Sequence, residues 1–196
     1  MTKYWFFLCV FCSGAVFADD AAPVNVPELT YVIYFSSGEK QVAEAFWKEL
    51  DGNPLTAGCQ VGFRYKAILG PPAHLILVLT NPTSAEPCAN PQDVHSWLGK
   101  LEEKGILEDV GALVINHTKP LDLPRTDFRD AINEAKDLQG YNERRKISLN
   151  LSLSVARDAE EKARINKDMK ATLEDLGTVS QALSLLQHFQ AFQALK

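Results

Sequence analysis

Positive charge is in short supply in this sequence: 20 Lys and Arg face 25 Asp and Glu, for a formal net charge of −5. An acidic surface repels a phosphate backbone, so nucleic acid is not an expected partner. The one basic cluster, Glu143-Arg144-Arg145-Lys146, reads as a solvated turn. Histidine is sparse and scattered. His74, His95, His117 and His188 form no helical i, i+4 pair and none sits beside a cysteine, so the zinc pattern is missing and no metal is expected. A glycine-rich phosphate loop and a Gly-x-Ser-x-Gly nucleophile elbow are missing too. No cofactor follows from the sequence, no catalytic residue is nominated, and the reading leans away from an enzyme. Beyond the N-terminus there is also no apolar run long enough to cross a bilayer.

What the chain does have begins with residues 1–18, MTKYWFFLCVFCSGAVFA. One early Lys, a short apolar run and small residues ending at Ala18 have the form of a signal peptide cut after Ala18. Phe11 stands where a lipoprotein would need a small residue before Cys12, which argues against lipidation there. The expected location is the periplasm or the exterior. Lys3 is the only charged residue of the leader, so its removal leaves 19 basic against 25 acidic residues. Cys9 and Cys12 leave with it, and the remaining pair, Cys59 and Cys88, is expected to form a disulfide in an oxidising compartment.

Residues 19–28 form a polar, Pro-containing leader, and residues 29–118 read as one α+β domain. LTYVIYFSS is a continuous apolar strand, buried on both sides and therefore central. A helix follows with Val42, Phe46 and Leu50 four apart. In the intervening turn, Ser36 and Glu39 have the spacing of a capping box, which uses the turn's residues better than a phosphate loop or a serine nucleophile does. CQVGFRYKAIL alternates, with Val61, Phe63, Tyr65 and Ala67 inward and Gln60, Arg64 and Lys66 outward, as an edge strand does. HLILVLT is a second central strand, and folding the pair into a hairpin brings Cys59 opposite about Ser84, close to Cys88. Asn90-Pro91 opens a second helix carrying Val94, Trp97, Leu98 and Leu101, and VGALVIN supplies a fourth strand. Strand, helix, strand, strand, helix, strand is the order of a ferredoxin-like sandwich.

Residues 119–196 read as a C-terminal extension. A short helix carrying Phe128, Ile132, Ala135 and Leu138 should end at Gly140. KISLNLSLSV alternates from Ile147 to Val155, which favours a strand, although Ile147, Leu151 and Val155 also stand four apart. From Ala156 the chain is helical, with Ile165, Met169, Leu173 and Leu176 on one stripe. Gly177 should stop that helix, with Thr178 and Gln181 as a second capping box, leaving a helical hairpin.

The amphipathic end of that hairpin is the leading functional feature. Val179, Leu183, Leu186, Phe189 and Phe192 are the expected partner-binding residues. The expected role is an exported adaptor or a subunit of an envelope assembly, of secretion or conjugation type, bound to an unidentified envelope protein or to itself. The structural alternative is that this face packs on the chain's own sheet. A competing function is a small-ligand-binding or hydrolytic periplasmic domain using Ser36, Ser37 and His74 beside the first strand-to-helix turn.

Overall fold

The structure, a computed structural model, describes residues 28–65, 72–84, 86–112 and 128–195. Residues 1–27, the end of the β2 alternation at Lys66 and Ala67, the end of the expected fourth strand at 113–116, and His117 lie outside them, whereas Glu28, expected to close the leader, is the first residue of the first strand. In chain order the elements are β1 (Glu28–Phe35), α1 (Lys40–Leu50), a 3-10 turn (Pro54–Thr56), β2 (Gln60–Arg64), β3 (His74–Thr80), α2 (Pro91–Glu103), β4 (Leu107–Ala112), α3 (Arg129–Val155) and α4 (Ala159–Ala194). Among the described residues the fold is mixed α+β, with a four-stranded sheet and four α-helices.

Sheet order is β2-β3-β1-β4, and every neighbouring pair is antiparallel. The two continuous apolar strands, β1 and β3, are central, whereas alternating β2 lies at an edge. Side chains alternate across a strand. Leu29, Tyr31, Ile33 and Phe35 of β1 therefore share one face with Leu75, Leu77 and Leu79 of β3, and that face builds the main core. Helix α1 adds Ala43, Phe46 and Leu50 to it, and α2 adds Val94, Trp97, Leu98 and Leu101. Local signals set α2 sharply. Asn90 Oδ1 accepts from Gln92 N at its start, and Gly105, at φ 70, lets Gly105 N donate to Glu102 O and Ile106 N to Leu101 O at its end.

On the opposite face Val32, Ile76 and Val78 form a small buried cluster with Tyr34 against it. Arg64 and Glu28 project to this same side of the sheet. Arg64 Nη2 donates to both carboxylate oxygens of Glu28, at 2.9 and 3.1 Å, and the Glu28 side chain is wholly buried. The disulfide expected from the hairpin is present: Cys59 and Cys88 are joined, with Cα atoms 5.1 Å apart. The hairpin register pairs Gln60 with Thr80 and so extrapolates Cys59 to Asn81 rather than Ser84, and the segment up to Cys88 closes the difference.

Residues beyond 128 depart from the local reading in several places. The segment 147–155 is not a strand but the last third of α3, and Gly140 does not end that helix. Leu149 and Leu153 are half-buried on one side of the helix, whereas Ile147, Leu151 and Val155 point to solvent. A helix meets its own backbone hydrogen bonds, and this one packs along α4 for its partner, whereas a strand here would need a sheet neighbour. Ser154 spends its hydroxyl on Leu151 O, at 2.7 Å. Gly177 likewise lies inside an unbroken α4, where Thr178 Oγ1 donates to Glu174 O instead of capping a new helix. A helical glycine costs only about 1 kcal/mol relative to alanine, less than burying Leu176 and Val179 beside it returns. The helical hairpin is accordingly α3 against α4, turned at residues 156–158. Asp158 Oδ1 caps α4 by accepting from Glu161 N, and the Glu161 carboxylate reaches back to Arg157 N.

Candidate functional site

Two stretches of the C-terminal region carry no formally charged side chain, 147–156 and 176–195. The structure puts them to opposite uses. Val179, Leu183, Leu186 and Phe189 are buried in the main core, and Phe192 is partly buried against it. Phe189 lies at the centre of an aromatic cluster, with ring centroids 5.3 Å from Phe63, 5.6 Å from Phe46, 5.9 Å from Trp47, 6.0 Å from Phe35 and 6.3 Å from Phe128. The face expected to receive a partner is thus occupied by the chain's own sheet and first helix.

The first strand-to-helix turn is engaged by the same helix. Ser184 Oγ donates to Gly38 O at 2.9 Å, and Gln181 Nε2 reaches Phe35 O at 3.5 Å. A Cβ on Gly38 would stand 2.9 Å from Gln181 Cγ and 3.0 Å from its carbonyl oxygen, so glycine is required by the closeness of α4. The Ser36–Glu39 capping box is not formed. Glu39 itself is the N-cap residue, and Ser37 Oγ accepts from Glu39 N at 3.3 Å. The interhelical contacts fix the turn, and the local box is not needed. His74 is wholly buried, its ring stacked on Tyr65 at 5.4 Å and tilted against Tyr34 at 5.8 Å. Ser36, Ser37 and His74 line none of three cavities at the surface.

The cavity beside the disulfide offers little chemistry. A groove of about 600 Å³ runs between the end of α1, the disulfide and the end of α4, lined by Trp47, Leu50, Asn53, Cys59, Val61 and Gln193 among others. Asp51 is its one ionisable group, and the Thr56 hydroxyl is directed at Leu50 O and Asn53 O. No nucleophile and base stand together there. Among the described residues, no group of three His, Cys, Asp or Glu side chains could hold a metal ion, and no helix is long and apolar enough to cross a membrane.

The other uncharged stretch is exposed. Residues 143–155 of α3 and 159–175 of α4 add nothing to the main core and pack on one another, with Ile165 buried between them. Thirteen residues of α3 at about 1.5 Å each make an arm of roughly 20 Å. On its outer face Ile147, Leu151 and Val155 are 60, 65 and 73 % exposed, in a line at i, i+4 and i+8. Their neighbours Ser148, Asn150 and Ser154 are small and neutral. The paired stretch of α4 is by contrast dense in Lys, Arg, Asp and Glu. A helix face that needed only to stay in water would carry such charges.

The spacing of Ile147, Leu151 and Val155 was visible in the sequence, but period two masked it, because the inward Leu149 and Leu153 interleave with the outward three. Compared with protein-family models, with curated proteins and with solved structures, the chain matches none.

Proposed function

We propose that the protein is an exported, non-enzymatic protein-binding module that engages its partner through the outer face of the α3 arm. The observation that carries this reading is the line of Ile147, Leu151 and Val155, exposed on ten residues without charge at the end of a helix that is otherwise rich in it. Charge depletion around exposed apolar anchors marks the centre of an interface, where a charge would have to be desolvated. Anchors at i, i+4 and i+8 are what a groove reads when a helix lies in it. Three side chains are too few for a standard interface of about 800 Å² per partner, so the partner must wrap the arm rather than meet it as a flat patch. The binding face therefore moves from Val179, Leu183, Leu186, Phe189 and Phe192, which the core consumes, to the tip of the same helical hairpin.

The Cys59–Cys88 disulfide supports export, in keeping with the form of residues 1–18. The β2-β3-β1-β4 order, antiparallel throughout, with helices after the first and third strands, supports a ferredoxin-like assignment for the sheet and first two helices. The alternative site beside the first turn is less well supported, because Gln181 and Ser184 fill the approach to it.

Leu151→Asp tests the reading. It should abolish partner binding while leaving the unfolding midpoint unchanged, since the side chain is already in water. Undiminished binding by Leu151→Asp, Ile147→Asp and Val155→Asp together would remove the arm from consideration.

A further inference from the structure

A second feature lies at the root of the arm, where β2 ends between α3 and α4. A cavity of about 160 Å³ is bounded by Tyr65, Asn142, Arg145 and Asp175, with Leu138 and Val179 as its apolar wall. Tyr65 is wholly buried, yet its hydroxyl has no hydrogen-bond partner. Leaving a buried hydroxyl unpaired costs about 1–3 kcal/mol, so an acceptor supplied from outside would be bound with that much already in its favour. The volume exceeds the roughly 10–15 Å³ that one water needs by this measure and falls short of the several hundred of a drug-sized pocket. Its occupant has a handful of non-hydrogen atoms.

The lining selects the charge of that occupant. Arg145 presents a guanidinium fork suited to a carboxylate, and Asp175 presents an acceptor suited to an ammonium. A simple anion would meet the Asp175 carboxylate on the same wall. A simple cation would meet Arg145. A molecule bearing both charges satisfies both walls and leaves one carboxylate oxygen for the Tyr65 O–H. The Asn142 amide, on a buried residue at the same wall, can serve either end. We propose that this cavity is a binding site for a small zwitterion of the α-amino-acid type, with Arg145 and Tyr65 holding the carboxylate and Asp175 the ammonium. The site is independent of the arm's outer face, and neither proposal needs the other.

The test is titration of the purified protein with glycine, L-alanine and L-serine, followed by calorimetry and by backbone amide shifts, with acetate and methylamine as single-charge controls. Saturable binding of at least one amino acid at millimolar concentration is expected, with shifts centred on residues 65, 142 and 178 and with neither control competing. Tyr65→Phe removes only the unpartnered oxygen, so it should fold as well as the parent while weakening that binding at least about tenfold. Arg145→Ala should abolish it. The proposal is overturned if none of the three amino acids saturates, if acetate binds as well as alanine, or if Tyr65→Phe binds unchanged.

Discussion

Phe189→Ala puts the packing of α4 to a quantitative test. Phe189 has no exposed surface, and five aromatic rings stand with centroids between 5.3 and 6.3 Å of its own. Truncating a buried phenylalanine costs about 3–5 kcal/mol through lost transfer energy and the cavity left behind. The top of that range applies here, because rings from β1, α1, β2 and the start of α3 cannot all collapse inward, and each lost ring pair adds about 0.5–1.5 kcal/mol. Set against a total stability of about 5–15 kcal/mol, that is a large fraction. With an m-value of roughly 2 kcal/mol per molar urea, the midpoint should fall by about 2 M. Fluorescence reports it directly, since Trp47 is stacked on Phe189 at 5.9 Å. A loss below about 1 kcal/mol would mean that the end of α4 is not in the core, and the placement of residues 176–195 would be wrong.

Other consequences follow from particular contacts. Replacing Cys59 and Cys88 by Ser opens a loop between residues 29 apart in sequence and should cost about 3.5 kcal/mol, read as a lower urea midpoint that matches the reduced parent. Arg64→Ala leaves the buried Glu28 carboxylate without its partner and should cost about 2–3 kcal/mol, less than a fully enclosed pair because the Arg64 side chain is 32 % exposed; Glu28→Gln made alongside should recover part of that loss. Burial, with Asp175 and Glu134 nearby, pushes the Tyr65 phenol up from 10.0 to about 12. The folded state thus holds the Tyr65 proton more tightly, and its contribution is complete below pH 10 and lost as pH rises from there to about 12. Tyr65→Phe should remove that alkaline component from the pH dependence of unfolding and leave stability at neutral pH the same or slightly higher.

How much could be read from the sequence depended on whether the deciding interaction was local. The β2 alternation placed Phe63 and Tyr65 in the core and Arg64 on the other face, because a strand's faces follow from its period alone. The Asn90-Pro91 start of α2 and its Gly105 end were equally visible, since both are settled within one turn of helix. The Cys59–Cys88 bridge followed from the even cysteine pair left once the leader is removed, while the hairpin argument brought Cys59 only near Cys88 and misplaced its register partner by three residues. Gly140 and Gly177 misled because a glycine is a helix terminator only when nothing across the helix offsets about 1 kcal/mol. The capping box at Ser36 failed for a related reason, as Gln181 and Ser184 lie 146 residues from their partners in that turn. The cavity beside Tyr65 draws on β2, α3 and α4, and no spacing in the sequence links those residues.

The hydrophobic end of α4 packs into the core, and the uncharged face of α3 is the one we propose is offered to a partner, a division of roles that can be tested in the cell. Photo-crosslinking in intact cells of the native host addresses it most directly, with the reactive group placed in turn at Leu151 and at Lys170, which is exposed on the charged helix of the same arm. One discrete adduct is expected from position 151 and none from position 170, and the adduct should disappear when Val155→Asp is added. The same products from both positions, or an adduct from 151 that survives Val155→Asp, would contradict that division of roles.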